Sequence, residues 1–172
     1  MAATHLQPAC RDALAATGWP VRVVDVSGDD RAYWRLLAAT WARGRTFTIV
    51  EHDVVVRPDT FVELAGCPAP WCAFPYRQGS EGTYGTGLGC TKFGAALLAS
   101  AIDPWPWIGA QRQDAKHPPG HWCTLDAWVH RALRQAKWGG PHVHYPPLAH
   151  ARPYTGPSHM CTGEPRVWRA AS

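Results

Sequence analysis

Apolar, β-branched runs alternate with amphipathic stretches along this chain, and this alternation constrains the fold more than any other sequence feature. Strand-like composition occurs at 21–26, 46–50, 71–76 and 142–145. Helical periodicity occurs at 7–17, 31–43, 60–66, 94–101 and 124–137. Such alternation within one domain is typical of an α/β fold. We predict a single domain over 1–172 with a mixed, mostly parallel sheet flanked by helices, a core at 20–150 and an irregular tail at 151–172.

The content of glycine and proline is high and predicts long loops between these elements. The chain holds 16 Gly and 16 Pro among 172 residues, a share above the roughly 12% of average proteins. This content argues against a plain helical bundle and predicts a glycine-rich loop at 77–87 and an irregular surface loop at 103–120. Charged residues make up 17%, below the usual ~25%, so the chain is not expected to be disordered.

Charge and cysteine content narrow the class of protein. The net charge of +4 permits contact with phosphates without requiring nucleic acid as a partner. No apolar run is long enough for a membrane segment, and the first nine residues contain no apolar signal core. Six cysteines without a CxxC pair suggest reduced, mostly buried thiols. These features predict a cytoplasmic protein with no membrane segment.

The sharpest chemical feature is the triplet Glu51-His52-Asp53. It follows the run 46–50, whose nearly continuous apolar character predicts a strand buried on both faces. Carboxylates at positions i and i+2 of an extended backbone point the same way, and a divalent cation would balance both charges. The alternative is that one carboxylate caps the next helix while the other pairs with an arginine.

Four blocks in order carry a family resemblance: 49–55 (IVEHDVV), 67–76 (CPAPWCAFPY), 87–93 (GLGCTKF) and 121–126 (HWCTLD). Together they resemble GT-A-type glycosyltransferase-like proteins, a small family found in actinobacteria and their phages. The resemblance covers about residues 20–150. It implies a single-domain GT-A-like fold, with an abbreviated N-terminus because the chain enters a helix before any strand.

The resemblance also implies roles for four residues. Asp53 would ligate Mn²⁺ or Mg²⁺, which bridges the diphosphate of a nucleotide sugar; a UDP-sugar is the expected donor. Glu51, where the family usually has Asp, would reach the metal through water or contact the ribose. His150 would complete the metal ligands. Asp126 would act as the base that takes a proton from the acceptor hydroxyl.

Further residues are candidates for binding the donor. Asp25, Ser27 and Asp29 follow the first predicted strand, where a base or ribose could dock, although capping of the next helix is the alternative. Lys92 is a candidate phosphate contact or an ordinary solvated lysine. Five glycines within 79–89 would bring backbone N–H groups close to a sugar or phosphate, or form a mobile loop.

Tryptophans predict where an acceptor would bind. Trp105, Trp107 and Trp122 surround the segment that precedes Asp126, and aromatic faces stack on sugars and on nucleobases. The alternative is that they pack on the core. The acceptor is a saccharide, a small molecule, a protein or a modified base in phage DNA.

Two other classes of function stay open. One is a catalytically degenerate GT-A-like module that binds without turnover, for which the abbreviated N-terminus is the main support. The other is a zinc protein, suggested by the late residues His142, His144, His150, His159 and Cys161, although we expect no ligand spacing of the finger or ribbon type. A hydrolase is disfavoured because GxSxG and HExxH are absent, and nothing indicates an activated thiol at Cys90 or Cys123 beside His121.

Overall fold

The computed structural model describes residues 6–26, 29–78, 83–100, 102–112 and 118–151. The helices are α1 (Pro8–Ala16), α2 (Ala32–Trp41), α3 (Thr60–Gly66), α4 (Ala95–Leu98), α5 (Trp105–Ala110) and α6 (Leu125–Gln135). The strands are β1 (Phe47–Val50), β2 (Val54–Val55), β3 (Trp71–Ala73), β4 (Tyr76–Gln78), β5 (Thr83–Gly85), β6 (Cys90–Phe93), β7 (His142–Val143) and β8 (Ala149–His150). Within these residues, no helix has the length and apolar character needed to cross a bilayer.

The main sheet has four strands in the order β1-β6-β3-β7. β6 pairs antiparallel with both β1 and β3, while β3 and β7 are parallel. The predicted mixed α/β class is therefore confirmed. β1, β3 and β7 run in the same direction, as expected of a mostly parallel sheet. The pairing differs from this expectation, because β6 lies between β1 and β3 and pairs antiparallel with both.

Two small ladders extend this framework. β2 pairs with β8, which sets Val54 opposite His150. β4 and β5 form an antiparallel pair that sets Tyr76 opposite Gly85. The stretch predicted as a glycine-rich loop at 77–87 is therefore partly a hairpin. The tip of that hairpin and the predicted tail beyond residue 151 lie outside the described residues.

The sheet separates two hydrophobic clusters. The first contains α2, α5 and α6 residues packed around Phe93, whose ring lies 5.6 Å from Trp41 and 6.1 Å from Trp71. The second contains α1 and α3 residues packed around Phe74, together with Cys90. Alternate side chains of a strand point to opposite faces, which is why Phe93 and Cys90 of β6 fall in different clusters.

The predicted strand at 21–26 is wrong. This segment has no strand structure, and Val21, Val23 and Val24 are 45%, 52% and 38% exposed. β-branched residues favour strands chiefly through packing on a sheet surface, and the edges of the main sheet are β1 and β7 instead. As an edge strand, β1 is also not buried on both faces, and Thr48 is exposed.

The predicted surface loop at 103–120 is also wrong in its first part, where α5 lies. Trp105 and Ile108 of this helix are buried in the first cluster. Its prolines fall at the helix start, where a missing N–H group costs nothing. The side chain of Asp103, one residue before the N-cap Pro104, accepts a hydrogen bond from the Trp105 amide over 3.1 Å and so gives the first amide of the helix a partner.

Candidate active site

The candidate site begins at the turn after β1. The amide of Glu51 donates to the carbonyl of Gly89 over 2.8 Å, which extends the β1–β6 ladder by one residue. The amide of Val54 then donates to the Glu51 carbonyl over 3.2 Å, closing a turn that presents the carboxylate of Asp53. The amide of Ala151 donates to the Asp53 carbonyl over 2.7 Å, so the β2–β8 pairing brings His150 beside Asp53.

Asp53 lies between two imidazoles. Its Oδ2 atom is 3.4 Å from Nε2 of His150 and 3.7 Å from Nε2 of His52. The side chains of Asp53 and His150 are 12% and 9% exposed, whereas that of His52 is 44% exposed. A buried carboxylate needs a compensating charge, and this arrangement supplies either an imidazolium or a ligand pair for a cation.

Glu51 lies in the same environment. The hydroxyl of Tyr33 donates to Oε1 of Glu51 over 3.1 Å. Burial, followed by the negative charge of Asp53, raises the pKa of Glu51 to about 7, while the Tyr33 hydrogen bond opposes that rise. Burial and the charge of Glu51 raise the pKa of Tyr33 well above its ordinary value. Glu51 is therefore protonated in part near neutral pH.

Asp126 reaches this region from the first turn of α6. Its Oδ1 atom accepts a hydrogen bond from the Ala127 amide over 2.7 Å. A Cβ atom at Gly87 would lie 3.1 Å from Oδ2 of Asp126 and would collide with the hydroxyl of Tyr76. The carboxylate and the phenol therefore lie on the same side of Gly87, and the charge of Asp126 contributes to the raised pKa of Glu51.

Tyr76 joins these groups to His150. Its ring stacks on the imidazole of His150 with centroids 6.0 Å apart and planes 11° apart. A Cβ atom at Gly89 would collide with this ring, with the ring carbon Cζ only 2.7 Å away. Gly87 and Gly89 thus make room for Tyr76, which gives the alternate glycines a packing role.

We call these residues the acid cluster: Tyr33, Glu51, Asp53, Tyr76, Asp126 and His150. The structure brings together all four residues to which the resemblance gives catalytic or metal-binding roles. Sequence reasoning missed Tyr33, Tyr76 and the neighbouring His52. His52 stands within the acidic triplet and Tyr76 is the last residue of a predicted strand, whereas Tyr33 carries no signal beyond its place on a helix face.

The other candidate donor-binding residues lie elsewhere. Asp29 accepts a hydrogen bond from the Arg31 amide over 2.6 Å and pairs with Arg35 at 3.0 Å, just before and within the first turn of α2. Lys92 is buried, and its ammonium donates to the Cys67 carbonyl over 2.5 Å. Asp25 is exposed, and Ser27 lies outside the described residues.

The candidate acceptor-binding tryptophans divide into two kinds. Trp105 is buried and contacts Trp41 edge to face at 5.9 Å, so its role is packing. Trp107 is partly buried and packs edge to face on Trp128 at 5.7 Å. Trp122 is 53% exposed and precedes α6. Of these three side chains, Trp122 is therefore the one left largely exposed, whereas Trp105 belongs to the core.

The spacing of donor atoms limits how a cation could bind. Among the described residues, the group of three His, Cys, Asp or Glu side chains whose ligand atoms all lie within 4.8 Å of one another is Cys67, Cys72 and His144. The acid cluster does not meet this spacing; within it, Oδ2 of Asp53 and Nε2 of His150 lie 3.4 Å apart. A carboxylate oxygen such as that of Asp53 suits Mn²⁺ or Mg²⁺.

Comparison of the chain with protein-family models, with curated proteins and with solved structures finds no match.

Proposed function

We propose that this protein is a metal-dependent glycosyltransferase of GT-A-like fold, moving a sugar from a nucleotide-sugar donor to an acceptor hydroxyl. The observation that carries this proposal is the Asp53–His150 pair, with Oδ2 and Nε2 3.4 Å apart, beside Glu51 and Asp126. The resemblance assigns donor and proton-transfer roles to these four residues. Their convergence from three separate parts of the chain supports that assignment.

Asp53 and His150 would hold Mn²⁺ or Mg²⁺, with Glu51 acting through a water molecule. The cation would supply electrostatic stabilisation of the charge that develops on the departing nucleoside diphosphate. A cation at this place would stabilise the ionised form of Glu51, whose pKa burial and the charge of Asp53 raise to about 7. The expected donor is a UDP-sugar.

Asp126 would accept the proton of the attacking hydroxyl. Its Oδ2 atom and the hydroxyl of Tyr76 lie on the same side of the Gly87 backbone. A base within hydrogen-bond reach contributes roughly 10²–10⁴-fold to rate. The exposed face of Trp122 is the proposed surface for the acceptor, whether saccharide, small molecule, protein or modified base in DNA.

A second candidate is a binding module without turnover. The observation that favours it is the segment 21–26, which was expected to form the first strand beside the donor and instead lies outside the sheet. In this case the acid cluster would bind a cation and a ligand, and no sugar would be transferred.

The experiment is thermal unfolding with a panel of nucleotide sugars, each with Mn²⁺ and with a chelator. Wild type is compared with Asp53→Asn and with Asp12→Asn, a matched change at an exposed site on α1. A ligand at 100 times its Kd stabilises by about 2.7 kcal/mol. We expect this shift to need Mn²⁺ and one nucleotide and to vanish in Asp53→Asn alone.

A transfer assay then separates the two candidates. Asp126→Asn should bind the donor as wild type does and lose transfer to the acceptor by at least about 10²-fold. Donor binding without measurable transfer by wild type would support the binding module. Absence of a shift with every nucleotide would overturn both the donor site and the glycosyltransferase proposal.

A further inference from the structure

A second cluster of potential ligands lies at the edge of the main sheet. Cys67 follows the C-terminus of α3, Cys72 is the central residue of β3, and His144 follows β7. The parallel pairing of β3 with β7 continues through a hydrogen bond of 3.0 Å from the His144 amide to the Ala73 carbonyl. The two sulfurs and one ring nitrogen of His144 all lie within 4.8 Å of one another.

These distances are close to those of a tetrahedral zinc site. Bonds of about 2.3 Å to sulfur and about 2.0 Å to nitrogen place tetrahedral sulfur atoms roughly 3.8 Å apart and sulfur and nitrogen atoms roughly 3.5 Å apart. The three atoms, which lie within 4.8 Å of one another, need to approach by no more than about 1.3 Å. Cys67 and Cys72 are also separated by four residues, a spacing found among zinc ligands. The expectation that no such spacing occurs is therefore wrong.

The surroundings of His144 point to a missing ligand. Its Nδ1 atom lies 3.8 Å from Oε2 of Glu63, whereas its Nε2 atom is buried and has no hydrogen-bond partner in the described part of the chain. A buried ring nitrogen without a partner is costly. Metal-bound histidines commonly direct their second nitrogen to a carboxylate, and Glu63 stands in that position.

We propose that Cys67, Cys72 and His144 bind one Zn²⁺ ion, with the fourth position taken by water. Two thiolates and an imidazole favour Zn²⁺ over Mg²⁺ or Mn²⁺, which prefer oxygen ligands. None of these residues belongs to the acid cluster, so the zinc site and the proposed donor site are independent. The ion would tie the end of α3 to β3 and to the edge strand β7.

Burial and charge act in opposite directions on the ionisation of the potential ligands. Burial, followed by the contact with Cys67, raises the pKa of Cys72 to about 12, so its thiol is protonated without a metal. The positive charge of Lys92 opposes that rise and favours the thiolate. Burial lowers the pKa of His144, which keeps its imidazole neutral and able to bind a metal. Zinc would displace the thiol protons when it binds.

The test is metal analysis of the untagged full chain, purified under reducing conditions and supplied with Zn²⁺. We expect about one zinc ion per chain in wild type and in Cys10→Ala, which removes a buried thiol from α1. Cys67→Ala and His144→Gln should each weaken zinc binding by at least tenfold. Asp53→Asn should retain the zinc, which separates this proposal from the proposed transferase.

Cobalt substitution gives a result that does not depend on folding of the variants. Co²⁺ in wild type should show thiolate charge-transfer absorption of the strength given by two thiolates, and Zn²⁺ should displace it. Absence of this absorption, or equal zinc retention by Cys67→Ala, His144→Gln and wild type, would overturn the proposal. The proposal would also be overturned if the protein were isolated with a Cys67–Cys72 disulfide and bound no zinc after that disulfide was reduced.

Discussion

The hydroxyl of Tyr33 on α2 donates to the carboxylate of Glu51 at the end of β1, with 3.1 Å between the oxygens. This contact joins the first hydrophobic cluster, against which Tyr33 packs, to the acid cluster. It also holds Glu51 where burial and the charge of Asp53 raise its pKa to about 7. The protonation of Glu51 therefore couples the stability of the fold to pH in a range that is easily measured.

Glu51 should make the metal-free protein less stable as pH rises towards 8. Its pKa is about 7 when folded and 4.5 as its ordinary value, so folding favours the protonated form. The resulting stabilisation is full below pH 4.5 and is lost as pH rises through about 7. As pH rises from 5.5 to 8, the ionisation of Glu51 should lower the unfolding free energy by about 2 kcal/mol.

Urea unfolding of wild type and Glu51→Gln with a chelator measures this effect. The difference in unfolding free energy between the two proteins should change with pH in this range, because Gln cannot titrate. Asp12→Asn serves as the control at an exposed carboxylate on α1. If wild type and Glu51→Gln have parallel pH profiles, Glu51 does not have a raised pKa.

Removing the Tyr33 hydroxyl should raise the pKa of Glu51 further. The Tyr33 hydrogen bond lowers that pKa, and phenylalanine would leave the carboxylate buried without this donor. NMR titration of the Glu51 carboxyl carbon in Tyr33→Phe measures the change directly. Tyr84→Phe, at an exposed tyrosine of β5, should leave the midpoint where it is in wild type. An unchanged midpoint in Tyr33→Phe would contradict the contact.

Gly87 and Gly89 should respond differently to removal of the Tyr76 hydroxyl. A Cβ atom at Gly87 collides with that hydroxyl, whereas one at Gly89 collides with ring carbons, including Cζ at 2.7 Å. Each Gly→Ala change should destabilise the protein by roughly 1–3 kcal/mol through overpacking. In a Tyr76→Phe background, most of the cost of Gly87→Ala should disappear and that of Gly89→Ala should remain.

A double-mutant cycle from urea unfolding measures both couplings. The cycle for Gly87→Ala with Tyr76→Phe should show a coupling energy, and the cycle for Gly89→Ala with Tyr76→Phe should be close to additive. Equal couplings in the two cycles would mean that the hydroxyl of Tyr76 does not face Gly87. The pair of glycines thus controls for any general effect of Tyr76→Phe.

Local sequence patterns predict the helices whose apolar residues already form one face along the helix. Residues 60–66 and 124–137 have helical periodicity, and α3 and α6 occupy nearly these ranges. The segment 21–26 has strong strand composition but no strand partner on the main sheet. Whether a β-branched segment joins a sheet depends on an available edge, which local composition does not reveal.

The sequence predicts the part of the candidate site that lies directly after a strand. Glu51 and Asp53 stand directly after β1, and their position follows from the apolar run before them. Tyr33 and Tyr76 depend on how α2 and the β4–β5 pair pack, which is a tertiary property. The zinc-type cluster could be found from the spacing of Cys67 and Cys72, but its third member depends on the pairing of β3 with β7.

Trp105 and Trp122 should contribute very differently to the stability of the fold. Trp105 is 2% exposed and packs in the first cluster, so Trp105→Ala should cost roughly 3–5 kcal/mol of unfolding free energy. Trp122 is 53% exposed, so Trp122→Ala should change stability by no more than about 0.5 kcal/mol. Urea unfolding measures both values. A large loss of stability in Trp122→Ala would show that its ring is a core group.

His150 and His52 should contribute unequally to cation binding by Asp53. Nε2 of His150 lies 3.4 Å from Oδ2 of Asp53 on a side chain only 9% exposed, whereas His52 lies 3.7 Å away and is 44% exposed. The stacking of Tyr76 on His150 also fixes that imidazole before a cation arrives. An ordered ligand loses less freedom on binding than an exposed one.

Mn²⁺ titration followed by electron paramagnetic resonance measures this difference. We expect His150→Gln to weaken Mn²⁺ binding by at least about tenfold and His52→Gln to have a smaller effect. Asp53→Asn should abolish Mn²⁺ binding in the same titration, which sets the scale for both histidine variants. If only His52→Gln weakens binding, the ion lies between Asp53 and His52, and the pairing of β2 with β8 is not what builds the site.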